Sequence, residues 1–124
     1  MHKFFYLFAA LVWTGVILFV CLIQARDVPT IRISNIDKLV HAFFYFVFTI
    51  LWFLTFYKVV INANFVHSLL FSFLFSVLLG IFIEILQETL TTTRHGDLLD
   101  VLANISGSLL AIFSVRLSLG KTNK

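Results

Sequence analysis

The chain has 124 residues, 60% of them hydrophobic and 12% charged, with a mean hydropathy of +1.03; a water-soluble domain carries about a quarter of charged residues, so there is too little polar sequence here to clothe a soluble surface. The length fits one small domain and leaves no room for a separate catalytic domain. The net charge of +3 is spread over short gaps and tails, which reads as membrane topology signal and not as a nucleic-acid-binding patch.

Four apolar runs follow one another, at about 4–23, 39–61, 65–86 and 98–115, each long enough to cross a bilayer as a helix. They predict an all-α polytopic membrane protein, one four-helix transmembrane bundle over residues 1–124. The first run follows Lys3 in the manner of a secretory leader. Its apolar stretch is too long, and Gln24-Ala25-Arg26 is a poor cleavage site, so it is predicted to be kept as a span. Cys21, the single cysteine, excludes an intrachain disulfide and reads as a buried thiol. Phe19 and Val20 before it are too large for a lipidation signal. Asn62-Ala63-Asn64 gives a short turn between the second and third runs. The longer gaps, 24–38 and 87–97, fall on the opposite side.

Basic residues set the orientation of such a bundle. With the N-terminus inside, Lys3, Lys58, Arg116, Lys121 and Lys124 lie inside, against Arg26, Arg32, Lys38 and Arg94 outside. That predicts cytoplasmic termini, with membrane lipid as the first partner. The basic tail is suited to anionic lipid. All six carboxylates, Asp27, Asp37, Glu84, Glu88, Asp97 and Asp100, fall on the other side. Acidic residues contribute little to topology, so their segregation points to function.

The second span opens Asp37-Lys38-Leu39-Val40-His41, and Asp37, His41 and Tyr45 recur every four residues on one helix face. Read locally, Asp37 caps the helix, Lys38 snorkels, and His41 and Tyr45 are interfacial aromatics. The second cluster is denser. Glu84 and Gln87 share a face of the third span, and Glu84 and Glu88 place like charges one turn apart. Asp97, Asp100 and Asn104 share a face of the fourth. Capping accounts for Asp97 and Asp100 but not for Asn104, Glu84 or Gln87. At 1.5 Å rise per residue, Asn104 lies roughly 10 Å, and Glu84 and His41 about 6 Å, inside the ends of their spans. Buried charge at such depth demands partners, and Arg94 and Lys38 are the cations at hand. If the helices bundle, one pocket collects Asp37, Lys38, His41, Tyr45, Glu84, Gln87, Arg94, Asp97, Asp100 and Asn104. Ala103, Gly107 and Ala111 form a small-residue line on the fourth span, suited to close helix packing.

The ordered pattern Asp37-Lys38-x-x-His41, Glu84-x-x-Gln87, and Arg94-x-Gly96-Asp97-x-x-Asp100-x-x-x-Asn104-x-x-Gly107 resembles the VanZ-like family of small bacterial membrane proteins. The resemblance runs from Asp37 to Gly107. Many members carry a Pro or Gly before the Arg matching Arg94, where this chain has Thr91-Thr92-Thr93. The family's founding member is associated with resistance to glycopeptide antibiotics, chiefly teicoplanin. The resemblance implies a role at the bacterial cell envelope and leaves the chemistry open.

Three functions suit these residues. The first is binding of an amphiphilic envelope ligand, a lipidated glycopeptide or a lipid-linked cell-wall intermediate, with the polar pocket orienting its head. The second is a small membrane enzyme on a lipid-linked substrate, with His41 and Glu84 or Asp100 as acid and base; no nucleophile motif supports it. The third is ion or proton transport through an oligomer. His41, Glu84, Asp97 and Asp100 are ligand types for a divalent ion, but their spacing matches no standard metal motif. Neither a metal nor a cofactor is predicted.

Overall fold

In lipid, a backbone satisfies its own N–H and C=O groups only by coiling into helices or closing into a barrel. Apolar runs without period-2 alternation choose the helix. The computed structural model describes residues 2–27, 34–59, 64–90 and 98–119, with side-chain surroundings for 4–20, 39–59, 64–86, 89 and 101–119. These residues form α1 (His2–Asp27), α2 (Ser34–Val59), α3 (Phe65–Leu90) and α4 (Leu98–Leu119), with no strand among them.

Three helices carry stretches long and apolar enough to cross a membrane: Leu39–Val59, Phe65–Leu86 and Val101–Leu119. The chain is a membrane protein built as a helical bundle. In α1 the described apolar stretch is Phe4–Val20, about 26 Å of helix against a hydrocarbon core of about 30 Å. Asn64 starts α3: its side-chain Oδ1 accepts from His67 N at 3.1 Å and its carbonyl from Ser68 N at 2.8 Å, the capping expected of an Asn there. One local expectation is corrected. Helix α2 begins at Ser34, so Asp37 lies inside the first turn and is not its cap. Ser34 with an acid three residues on is itself a helix-starting spacing.

Helix α2 lies at the centre, packed against each of the other three, with its most extensive contact on α4. His41 meets Asn104 and Phe53 meets Val115, so α2 and α4 run the same way. Gly80 meets Asn104 and Ser76 meets Ser108, so α3 runs opposite to both. Apolar surface is plentiful outside as well as inside: Phe8, Leu39, Phe43, Val66, Leu78 and Phe113 are all more than half exposed, as a lipid-facing surface requires.

Two clusters form the core. Tyr45, Phe48, Trp52, Ile83, Ala10 and Ile17 knit α1, α2 and α3. Phe53, Leu69 and Val115 close the end where α2 and α4 finish and α3 starts. Polar clasps fasten α1 to α2. The Trp13 indole donates to the Phe44 carbonyl at 2.9 Å and the Trp52 indole to Thr14 Oγ1 at 3.1 Å. Such bonds between helices in lipid contribute about 0.6–2 kcal/mol each, and they integrate α1 with the bundle.

Candidate functional site

The site lies where α2 and α4 begin and α3 ends. His41, Glu84 and Asn104 stand about 9–11 Å in from the near ends of α2, α3 and α4. All three point inward: His41 is 2%, Asn104 3% and Glu84 7% exposed. The His41 Nδ1 hydrogen is donated to Asn104 Oδ1 across 3.2 Å. An amide oxygen only accepts, so this bond places the hydrogen on Nδ1 and fixes the ring's orientation.

Asn104 is held from two further directions. A Cβ built on Gly80 would lie 3.0 Å from Asn104 Nδ2, so α3 offers its bare backbone to the amide. The Asn104 carbonyl accepts from Ser108 Oγ at 3.0 Å, and Ser108 in turn meets Ser76 of α3 through their hydroxyls. Glu84 follows Gly80 on the same α3 face, one turn (about 6 Å) nearer the helix end. Each of the three helices therefore supplies one buried polar group to a single end of the bundle.

Gly107 explains why α2 and α4 come so close. A Cβ there would sit 2.0 Å from the Ala42 carbonyl oxygen and 2.8 Å from its carbon. Ala42 adjoins His41, and Gly107 is three residues from Asn104, so this backbone contact lies beside the His41–Asn104 bond. Ala111 is fully buried one turn on, and Ala103 is partly buried.

Tyr45, expected on the same face as His41, is fully buried in the aromatic core beside Phe48 at 6.1 Å between centroids. It floors the region beneath His41 and is no interfacial aromatic. The side chains of Asp37, Lys38, Gln87 and Asp100, and residues Arg94 and Asp97 entirely, lie outside the described residues. Among the described residues no group of three or more His, Cys, Asp or Glu is arranged to hold a metal.

Sequence reasoning named Glu84 but missed the buried serines that continue its line below the site. Ser68, Ser72, Ser76, Gly80 and Glu84 recur every fourth residue along α3, and all are buried. Thr49 of α2 is fully buried, and its Oγ1 has no hydrogen-bond partner among the described residues. The period of four was readable, but serines in a Phe-rich span were not weighed beside the charges. Comparison with protein-family models, with curated proteins and with solved structures gives no match to this chain.

Proposed function

We propose that this chain is a VanZ-like multi-pass protein of the bacterial inner membrane. In this reading all four helices cross, both termini are cytoplasmic, and the end of the bundle holding His41, Glu84 and Asn104 opens to the outer face. The pocket binds the polar head of an amphiphilic envelope ligand, such as a lipidated glycopeptide or a lipid-linked cell-wall intermediate. Asp37, Lys38, Gln87, Arg94, Asp97 and Asp100 belong to the segments that would rim it. Lipid-exposed Phe and Leu side chains would lie against the acyl part.

The supporting observation is the meeting of His41 and Asn104, 3.2 Å apart on two different helices, with Glu84 buried on a third. Buried polar groups in a membrane bundle mark functional positions, and three gathered at one end support the reading of a head-group site. The apolar cluster of Phe53, Leu69 and Val115 occupies the opposite end. That favours a blind pocket over a path through the bundle. The enzymatic alternative draws on the same bond: His41 anchored through Nδ1 is oriented as a general base would be, with Glu84 or Asp100 as its acid partner.

The decisive experiment is native mass spectrometry of the protein extracted in mild detergent from a bacterial envelope. A copurifying amphiphile should be present on the unchanged protein and depleted about ten-fold or more on Glu84→Gln and His41→Ala, with helix content preserved. An adduct equally abundant on all three would place the ligand elsewhere. Release of a processed product from the bound lipid would establish the enzyme instead.

A further inference from the structure

On α4, away from Asn104, the lipid-facing side carries a shallow groove of about 650 Å³. Leu109, Leu110, Ile112 and Phe113 line it, with Ser106 at one end and Arg116 at the other. Ser106 Oγ bonds back to the Leu102 carbonyl at 2.9 Å, so that end offers no open polar group. From Ser106 to Arg116 the helix rises about 15 Å, which is the hydrocarbon depth of one leaflet in a core of about 30 Å.

Arg116 is an exposed cation in the last turn of α4. Its neighbour Val115 shares a buried cluster with Phe53, which puts Arg116 one residue beyond that level and about 6 Å, or four residues, farther in than Lys58 at the end of α2. Lys58 already lies over the Tyr57 ring, 5.5 Å from its centroid. Arg116 is exposed between exposed Phe113 and Leu117. A guanidinium beside hydrocarbon near a helix end reaches for the head-group layer, where its planar fork is suited to a phosphate. Among the described side chains, Lys58 and Arg116 belong to this end of the bundle, and Glu84 belongs to the other.

We propose that the α4 groove binds one anionic phospholipid, its acyl chain lying from Arg116 toward Ser106 and its phosphate paired with the Arg116 guanidinium. The groove lies on the exposed side of α4, its Arg116 end is at the other end of the helix from Asn104, and it does not depend on the polar pocket's function. The chemistry is recognition of a negatively charged head group at a fixed depth, with the groove selecting for an attached chain.

The test uses the full chain in bilayers, with Leu117→Trp as a reporter beside the groove and the fluorescence of the parent chain subtracted. Dibrominated phosphatidylglycerol should quench the reporter at about five-fold lower mole fraction than dibrominated phosphatidylcholine, the preference a single cation confers on an anionic lipid. That preference should shrink as salt is raised. It should vanish in Arg116→Gln and largely persist in Arg116→Lys, which keeps the charge. Equal quenching by the two lipids in the Arg116 protein overturns the proposal, and so does a preference that survives Arg116→Gln. Quenching by neither lipid, with cross-linking between reporters of two chains, would give the groove to a second copy and equally overturn it. If Arg116→Gln does not fold, the lipid preference and its salt dependence in the Arg116 protein decide alone.

Discussion

Three glycines of this chain give a graded test of how the bundle holds its site. At Gly107 an added methyl would stand 2.0 Å from the Ala42 carbonyl oxygen, 2.8 Å from its carbon and 2.9 Å from its Cα. These are backbone atoms of the central helix and cannot turn aside. Restoring a normal carbon–oxygen contact of about 3.3 Å requires α4 to retreat from α2 by roughly 1 Å. Overpacking of this kind costs about 1–3 kcal/mol. The same retreat stretches the adjoining His41–Asn104 bond beyond its present 3.2 Å, forfeiting about 0.6–2 kcal/mol more. Replacing a mid-helix Gly returns up to about 1 kcal/mol. The net expectation for Gly107→Ala is a loss of about 1–4 kcal/mol. At Gly80 the nearest atom is Asn104 Nδ2 at 3.0 Å, the end of a side chain, with Cβ and Cγ at 3.6 and 3.7 Å. Gly80→Ala should cost under about 1 kcal/mol, while displacing the Asn104 amide. Gly15 has nothing within 4 Å, so Gly15→Ala should be neutral or stabilising. Reversible unfolding in mixed detergent micelles measures all three, and the His41 ring signal in an NMR spectrum reports the bond. Equal stability of Gly107→Ala and Gly15→Ala would refute the close contact and the registration of the site built on it.

In a double-mutant cycle, His41→Ala and Asn104→Ala should show a coupling of about 0.6–2 kcal/mol in the same unfolding assay; additive losses would mean the two side chains do not bond. Glu84→Gln and Asp100→Asn should each abolish a teicoplanin-susceptibility phenotype while membrane abundance holds, because Asn and Gln keep size and capping capacity and delete only charge. Wild-type behaviour of both would reduce these carboxylates to helix-end chemistry, and loss of abundance together with phenotype would make them structural. Reporter fusions at Asn64 and after Lys124 should both report cytoplasm; an external signal at Lys124 would break the four-span topology.

What the sequence makes legible here, and what it hides, follows from what periodicity encodes. Run length and hydropathy identify helices, and α3 as read, 65–86, matches the apolar stretch Phe65–Leu86. A spacing of three or four places residues on one face, which is why His41 and Tyr45 could be grouped. It says nothing of what that face meets. Tyr45 proved to be core because α2 starts at Ser34 and sinks the residue more than two turns into the bundle. Helix ends are set by local capping and by the loops, not by the apolar pattern, so all four helices overrun at least one limit drawn from hydropathy, α3 running on to Leu90. The pairing of Asn104 with His41 was beyond reach for another reason. It depends on a register between α2 and α4 that no side-chain pattern states, and that is fixed where Gly107 receives the Ala42 carbonyl. A glycine read simply as a packing residue thus sets the distance between the two helices that carry the polar pair. The same logic extends to α3, where Ser76 and Gly80 let the helix approach Ser108 and Asn104, and so bring Glu84 to the same end. The geometry of this site is consequently a property of the small-residue contacts beneath it. Substitutions at Gly107 or Gly80 should disturb recognition even though neither residue has a side chain with which to touch a ligand.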